Sequence, residues 1–205
     1  MKALGLPDKI KLGHEDIAVE YSSEFLYNNA RFARTILDAQ RITIDSLVHG
    51  DVQKEYLFSN IHWFLTARVG VDLSEGERNS LAVGMFAVLR DNPALLRSAS
   101  VDRVRVGGQE IDVTVVDNCD ASGTYDPKTL RIEVNSATTS IKRRHVLFHE
   151  IYHILWNNLF LDTEKSQERD IDCMAWMLTM LLVENNFDWL LRKNDEVVNE
   201  SRMEE

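Results

Sequence analysis

The chain has 205 residues, of which 44% are hydrophobic and 27% charged, and its formal net charge is −10. That length allows one large domain or two small ones. An acidic chain without a basic run is a poor candidate for binding nucleic acid. Its longest apolar stretches are too short to cross a bilayer, so no membrane partner is expected.

The first residues lack the apolar core of a signal peptide. Cys119 and Cys173 are the only two cysteines. Two distant cysteines in such a chain are expected to be free thiols in a reducing compartment rather than a disulfide. We therefore expect a cytoplasmic protein, and cannot derive its oligomeric state from the sequence.

The first predicted element along the chain is a β-hairpin, and its pattern occurs a second time. Residues 8–19 and 102–113 both alternate charged and apolar side chains around a glycine, a pattern that predicts the start of a β-hairpin. Residues 41–46 and 131–136 both read as a strand that ends in a polar turn. Such self-similarity indicates a duplicated unit of roughly ninety to a hundred residues.

The repeat continues into a helix without a gap, because residues 57–65 align with residues 147–155. In that alignment Ser59, Asn60 and Trp63 take the places of His149, Glu150 and His153, and His62 takes that of Tyr152. The first copy therefore lacks the residues that carry chemistry in the second. His62 is not expected to bind metal.

These patterns predict an α+β fold of two repeated units, each a small antiparallel sheet plus two helices. The predicted units are residues 1–98, a degenerate copy, and residues 99–205, which end in an acidic tail over 193–205. The helices are expected at about 50–68 and 74–91, and at about 140–159 and 164–186. Residues 25–35 have no counterpart in the second copy and are interpreted as an extra helical turn.

The strongest chemical signal is the H-E-x-x-H motif formed by His149, Glu150 and His153. Residues four apart lie on one face of a helix, so both imidazoles can reach one metal ion. Glu150 then stands beside any metal-bound water, as the base of a zinc hydrolase does. A motif with three fixed positions also occurs by chance, so a third ligand is required.

Glu168 and Asp172 provide the E-x-x-x-D spacing on the next helix. The same spacing occurs in metallopeptidases whose third ligand is a glutamate and whose aspartate accepts a hydrogen bond from a ligand histidine. Glu168 is therefore predicted to bind the metal and Asp172 to orient a histidine. The alternative is that these acids only favour the start of a helix.

Five further assignments are weaker. His145 could neighbour the site, but is expected to be partly exposed in the first turn of its helix. Cys173 is expected to be a core thiol, and the four tryptophans are expected to pack in the core. Tyr125 is a candidate oxyanion donor, although a turn tyrosine without a role is the alternative. The strand at residues 130–135 could bind an extended peptide by strand addition.

The residues from Ile132 through Asn135 and from Arg144 to His153 resemble the strand and H-E-x-x-H run of the ImmA/IrrE-like zinc metallopeptidases. Residues 168–175 look like that family's E-x-E-A-[ND]-x-F-A segment, with Ile171 where the family has Ala. Tyr152 replaces its frequent Gly. The resemblance implies Zn²⁺ held by His149, His153 and Glu168, with Glu150 as catalytic base, in a protein of phage or prophage type.

The leading hypothesis is a gluzincin-like zinc metallopeptidase that hydrolyses a peptide bond. The resemblance implies a protein or peptide substrate, such as a repressor-like or host protein, in the cytoplasm of a host if the chain is phage-encoded. The alternative is a non-catalytic zinc-binding or metal-free interaction module of phage origin. A duplicated unit with one ligand-less copy is compatible with either.

Overall fold

A computed structural model describes residues 5–23, 33–117, 122–159, 161 and 168–191. The strands are β1 Lys9–Leu12, β2 Glu15–Ser22, β3 Ala33–Ile36, β4 Arg41–Asp45, β5 Arg103–Val106, β6 Gln109–Val116, β7 Gly123–Asp126 and β8 Arg131–Asn135. The helices are α1 Asp51–Val69, α2 Glu75–Asp91, α3 Ser140–Asn158 and α4 Glu168–Glu184. The α+β class is therefore confirmed.

Two four-stranded sheets are present, with strand orders β1-β2-β4-β3 and β5-β6-β8-β7. The prediction of antiparallel sheets is wrong for the central pair of each, because β2 runs parallel to β4 and β6 runs parallel to β8. The reason lies in the connections. Each third strand forms a hairpin with the fourth, and this hairpin places the fourth strand beside the second in the same direction.

The two sheets repeat each other in detail. Lys9 pairs with Ala18 and Arg103 with Asp112, and all three strand pairings of the first sheet recur in the second with the same register. Even the unusual backbone is shared. Gln40 and Leu130, which precede β4 and β8, both have positive φ, a conformation rare outside glycine. This agreement is compatible with two repeated units.

The helices begin and end where local chemistry favours it. The Ser74 hydroxyl accepts a hydrogen bond from the Glu77 N–H, and the Glu77 carboxylate accepts one from the Ser74 N–H, a capping box at the start of α2. The Thr139 side chain caps α3 in a similar way. Gly70 closes α1 in the left-handed conformation that glycine adopts without strain. The first helix of each unit, predicted at about 50–68 and at about 140–159, is confirmed to within one residue at each end.

The second helix of each half contacts the first strand of the other half. Asn92, at the end of α2, accepts a hydrogen bond from the Arg105 N–H at 2.7 Å and donates one to its carbonyl at 2.8 Å. Asn185, just after α4, makes the same pair of bonds with Lys11, both at 2.7 Å. We call these two contacts the asparagine clamps. Each half thus contributes one asparagine that binds the first strand of the other half.

A single core runs through both halves, since one cluster of buried apolar side chains includes residues of every helix and of both sheets. Near its centre His62 of α1 meets Tyr152 of α3, the residue at the equivalent place in the other copy. The His62 Nε2 atom lies 3.0 Å from the Tyr152 hydroxyl, and both side chains are fully buried.

Three sequence predictions concern other segments. The extra helical turn is wrong for residues 33–35, which belong to β3, and its remaining residues lie outside the described chain. Cys119 and the tail at 193–205 also lie outside it. Among the described residues, no helix is both long and apolar enough to cross a membrane.

Candidate metal centre

Helix α3 carries the H-E-x-x-H motif on a face that its core side chains leave uncovered. Leu147, Phe148 and Ile151 are buried, which fixes the rotation of the helix. His149 and His153 lie one turn apart on the adjacent face, as the spacing predicts. Their Nε2 atoms are 3.0 Å from each other.

Glu168, the first residue of α4, completes a triangle of donor atoms. Its Oε1 lies 2.8 Å from His149 Nε2, and its Oε2 lies 3.2 Å from His153 Nε2. A tetrahedral ion with ligand bonds of about 2.0–2.1 Å separates its ligand atoms by about 3.3 Å. The distance between the two nitrogens and the distance from each nitrogen to its nearer Glu168 oxygen are all close to that value, so these side chains fit the N, N, O donor set of a catalytic zinc.

The protonation of His149 suits a ligand. Burial lowers its pKa, and His153 nearby lowers it further, although the Glu168 carboxylate acts in the opposite direction. The neutral imidazole, which is the metal-binding form, is therefore favoured. Its Nδ1 atom is buried and has no hydrogen-bond partner, so only Nε2 is engaged by neighbouring groups.

Glu150 is buried at the edge of this triangle, with 8% of its surface exposed. Burial, together with the negative charge of Glu168, raises the pKa of Glu150 to about 7. The Tyr125 backbone N–H donates a hydrogen bond to the Glu150 carboxylate. A carboxyl group with a pKa near neutrality can both accept and return a proton, which is what a general base must do.

Strand β7 lies directly against α3. A Cβ atom on Gly123 would overlap the Val146 side chain, so only glycine allows this approach. The Asn135 N–H bonds to the Ser122 carbonyl, which places the main-chain groups of Ser122 toward β8. Because these directions alternate along a strand, the main-chain groups of Gly123 and Tyr125 point away from β8.

This arrangement changes which strand can receive a peptide. The strand predicted for that role, β8, is flanked by β6 and β7 and has no open edge. Among the described strands, β7 is the edge of the second sheet on the side of the motif helix. Tyr125 belongs to β7, and its ring is partly buried against the core. Its assignment as an oxyanion donor stays a prediction, while its backbone positions Glu150.

Several residues depart from their sequence assignments, among them Cys173, which is half-buried and not a core thiol. His145 is not partly exposed but buried, and its Nε2 lies 2.9 Å from Asp172 Oδ1. Asp172 is closer to His145 than to His149, whose Nδ1 is 3.7 Å away. Trp176 is 43% exposed rather than in the core, and its ring packs edge-on against His145. The four-residue spacing of His145, His149 and His153 indicates a shared helix face, but it does not indicate that His145 is buried.

The first copy keeps the scaffold without the ligands. Asn60 stands at the place of Glu150, and its Oδ1 accepts a hydrogen bond from the Thr35 hydroxyl of β3 at 2.7 Å. The contact between the edge strand and the helix is therefore preserved. Ser59 and Trp63, at the places of the two ligand histidines, offer no imidazole. The described groups of side chains able to hold a metal all lie in the second copy.

Comparison with known proteins supplies no relative: no protein-family model matches this chain, and no curated protein or solved structure matches it.

Proposed function

We propose that this chain is a zinc-dependent peptidase whose chemistry lies in its second copy. The observation that carries the proposal is the triangle formed by His149, His153 and Glu168, with the buried Glu150 carboxyl beside it. The resemblance to the ImmA/IrrE-like metallopeptidases is part of the same proposal. At the equivalent positions of the first copy both histidines are replaced, by Ser59 and Trp63, although α2 begins with Glu75 as α4 begins with Glu168.

Zinc, when held by these three side chains, would supply an activated water and polarise the scissile carbonyl. Glu150 takes a proton from the attacking water as the oxygen forms its bond to the carbonyl carbon. It returns that proton to the amine nitrogen when the carbon–nitrogen bond breaks. The hydrogen bond from the Tyr125 N–H holds the carboxylate in place for both transfers.

The substrate backbone would lie along β7. An extended peptide can pair with the outward main-chain groups of Gly123 and with the Tyr125 carbonyl as an added strand, while the Tyr125 N–H stays bonded to Glu150. That position places the peptide over α3 between β7 and the histidine face. Side-chain selectivity would then come from residues on α4, which forms the other boundary of the donor set.

The test combines metal content with cleavage. Purified chain should contain one zinc, and His149→Ala should lose it. Wild-type protein should cleave members of a diverse peptide library, read by mass spectrometry. Glu150→Gln should retain zinc but lose cleavage, by at least about a hundredfold for a lost general base. Because the variant is prepared identically, it also controls for contaminating peptidases.

The alternative is a metal-binding or metal-free interaction module. One observation favours it: the Glu168 side chain is 74% exposed, an uncommon setting for a rigid ligand. The same experiment separates the two functions. Stoichiometric zinc without any cleavage would support a structural or recognition role, and protein without zinc would exclude the peptidase.

A further inference from the structure

A chain of contacts leads away from His149 on the side opposite the donor triangle. Lys142 Nζ lies 3.1 Å from His145 Nδ1. His145 Nε2 lies 2.9 Å from Asp172 Oδ1 and 3.3 Å from the Asp172 carbonyl oxygen. The same Oδ1 lies 3.7 Å from the unpartnered Nδ1 of His149. We call Lys142, His145 and Asp172 the support chain.

Donor and acceptor chemistry gives the support chain a direction. An ammonium group can only donate, so His145 Nδ1 must accept from Lys142. The proton of the neutral His145 ring is then on Nε2, where it is donated to the Asp172 carboxylate. The remaining lone pairs of that carboxylate lie on the side of His149 Nδ1, 3.7 Å away, and so can accept its proton when the ring turns its Nε2 to a metal.

The exposure of Asp172 explains why such support is needed. Its side chain is 54% exposed, whereas that of His145 is only 4% exposed. An exposed carboxylate loses rotational freedom when it is held in one position, and this loss opposes its use as a fixed acceptor. His145, fixed by burial and by the Trp176 ring, holds the carboxylate beside His149.

The same residues could be considered a second metal position, because His145, His149 and Asp172 also bring ligand atoms together. Two observations argue against it. The Lys142 ammonium is in contact with His145 and would repel a cation. His145 Nε2 is also already engaged in two hydrogen bonds to Asp172.

We infer that His145, oriented by Lys142, is a positioning residue that holds Asp172 against His149 and so fixes the imidazole for metal binding. This inference rests on the proposed zinc site. Partners of this kind typically change metal affinity by about 10–100-fold when they are removed. Asp172 as an orienting group was expected from its spacing; the dependence of Asp172 on His145 is new.

The experiment compares two substitutions by competitive zinc titration of the full chain. His145→Gln keeps an N–H donor near the place of Nε2 and should bind zinc within about threefold of wild type. His145→Phe removes the donor but fills the space, and should bind about tenfold more weakly. Equal affinities for wild type, the glutamine variant and the phenylalanine variant would overturn the inference.

A double-mutant cycle tests whether His145 acts through Asp172. Asp172→Ala should weaken zinc binding at least as much as His145→Phe. The double variant should bind no more weakly than Asp172→Ala alone, because the support is already lost. Additive losses would show that His145 affects the site independently, contrary to the inference.

A readout without metal separates this inference from the proposed function. In ¹⁵N spectra of the metal-free chain, His145 should be the Nε2–H tautomer, and Lys142→Met should mix its tautomers. The opposite tautomer in the wild type would refute the support chain whether or not zinc binds. If the tautomer is as expected and the chain binds no zinc, the proposed function fails while the hydrogen bonds stand.

Discussion

The buried pair at the centre of the molecule should make its stability depend on pH. Burial, with a further contribution from the positive charge of Arg78, lowers the pKa of His62 from its ordinary value of 6.5 to about 3. Between those values the unfolded chain binds a proton that the folded chain does not. The contribution of neutral His62 to stability is therefore complete above pH 6.5 and is lost as the pH falls toward 3.

The size of this effect follows from the two pKa values. Each pH unit between them costs about 1.4 kcal/mol. Because only the part of the change below pH 6.5 counts, a change from pH 8 to pH 5 should cost the native state about 2 kcal/mol through His62. His62→Gln removes the titration but keeps an amide that can bond to the Tyr152 hydroxyl. The free energy of unfolding, measured by urea in the presence of a chelator, should fall about 2 kcal/mol less in this variant than in wild type.

Tyr152→Phe is the matched control. It removes the hydrogen bond and leaves the histidine, so stability should drop by about 1 kcal/mol at both pH values while the pH dependence remains. The reasoning is refuted if His62→Gln shows the same loss between pH 8 and pH 5 as wild type. It is also refuted if Tyr152→Phe abolishes the dependence.

Three other perturbations address the site and the join between halves. Glu150→Gln should stabilise the metal-free chain by about 3 kcal/mol at pH 8 and not at pH 4.5, because the native state resists ionising a carboxyl whose pKa is raised to about 7. Thermal melts at both pH values measure this difference. Gly123→Ala should cost about 1–3 kcal/mol in urea unfolding by forcing β7 from Val146, and Val146→Ala in the same chain should recover most of it. Asn92→Ala and Asn185→Ala, which open the asparagine clamps, should each cost about 1–2 kcal/mol and add in the double variant.

Two of these perturbations have a control residue in the same chain, and Glu150→Gln is controlled by its comparison between the two pH values. Gly76 in α2 has open space around its Cα, so Gly76→Ala should not destabilise the protein. Asn79, exposed on α2, is the control for the clamps, and its change to alanine should leave the free energy of unfolding within about 0.5 kcal/mol. A stabilised Gly123→Ala variant, or clamps no more costly than Asn79, would contradict the packing described. An equal gain for Glu150→Gln at both pH values would exclude ionisation as its cause.

Local patterns predicted the parts of the fold that depend on neighbours in sequence. The helices follow from helical periodicity, and the Ser74 cap and Gly70 of the structure agree with it. The duplication follows from equal spacings between similar segments. Strand pairing does not follow, because alternation along β4 or β8 reveals a buried face but not which strand lies on either side.

The candidate site was predictable to the same extent. His149 and His153 are one turn apart because the helix repeat requires it, and Glu168 reaches them because α4 packs against α3. The burial of His145 depended on the approach of α4, which no spacing within α3 encodes. The contact between Glu150 and Tyr125 likewise depends on β7 being the edge strand.

The contact of His62 with Tyr152 shows what covalent joining of the two copies permits. In a symmetric dimer of identical chains, a residue on the two-fold axis meets its own duplicate, and any mutation there changes both sides at once. Here the facing positions are encoded separately, so one became a histidine and the other a tyrosine. The same independence allows Ser59 and Trp63 to stand in one half where His149 and His153 stand in the other. In a single chain, one mutation can therefore change one half of such a pair and leave the other half as it is.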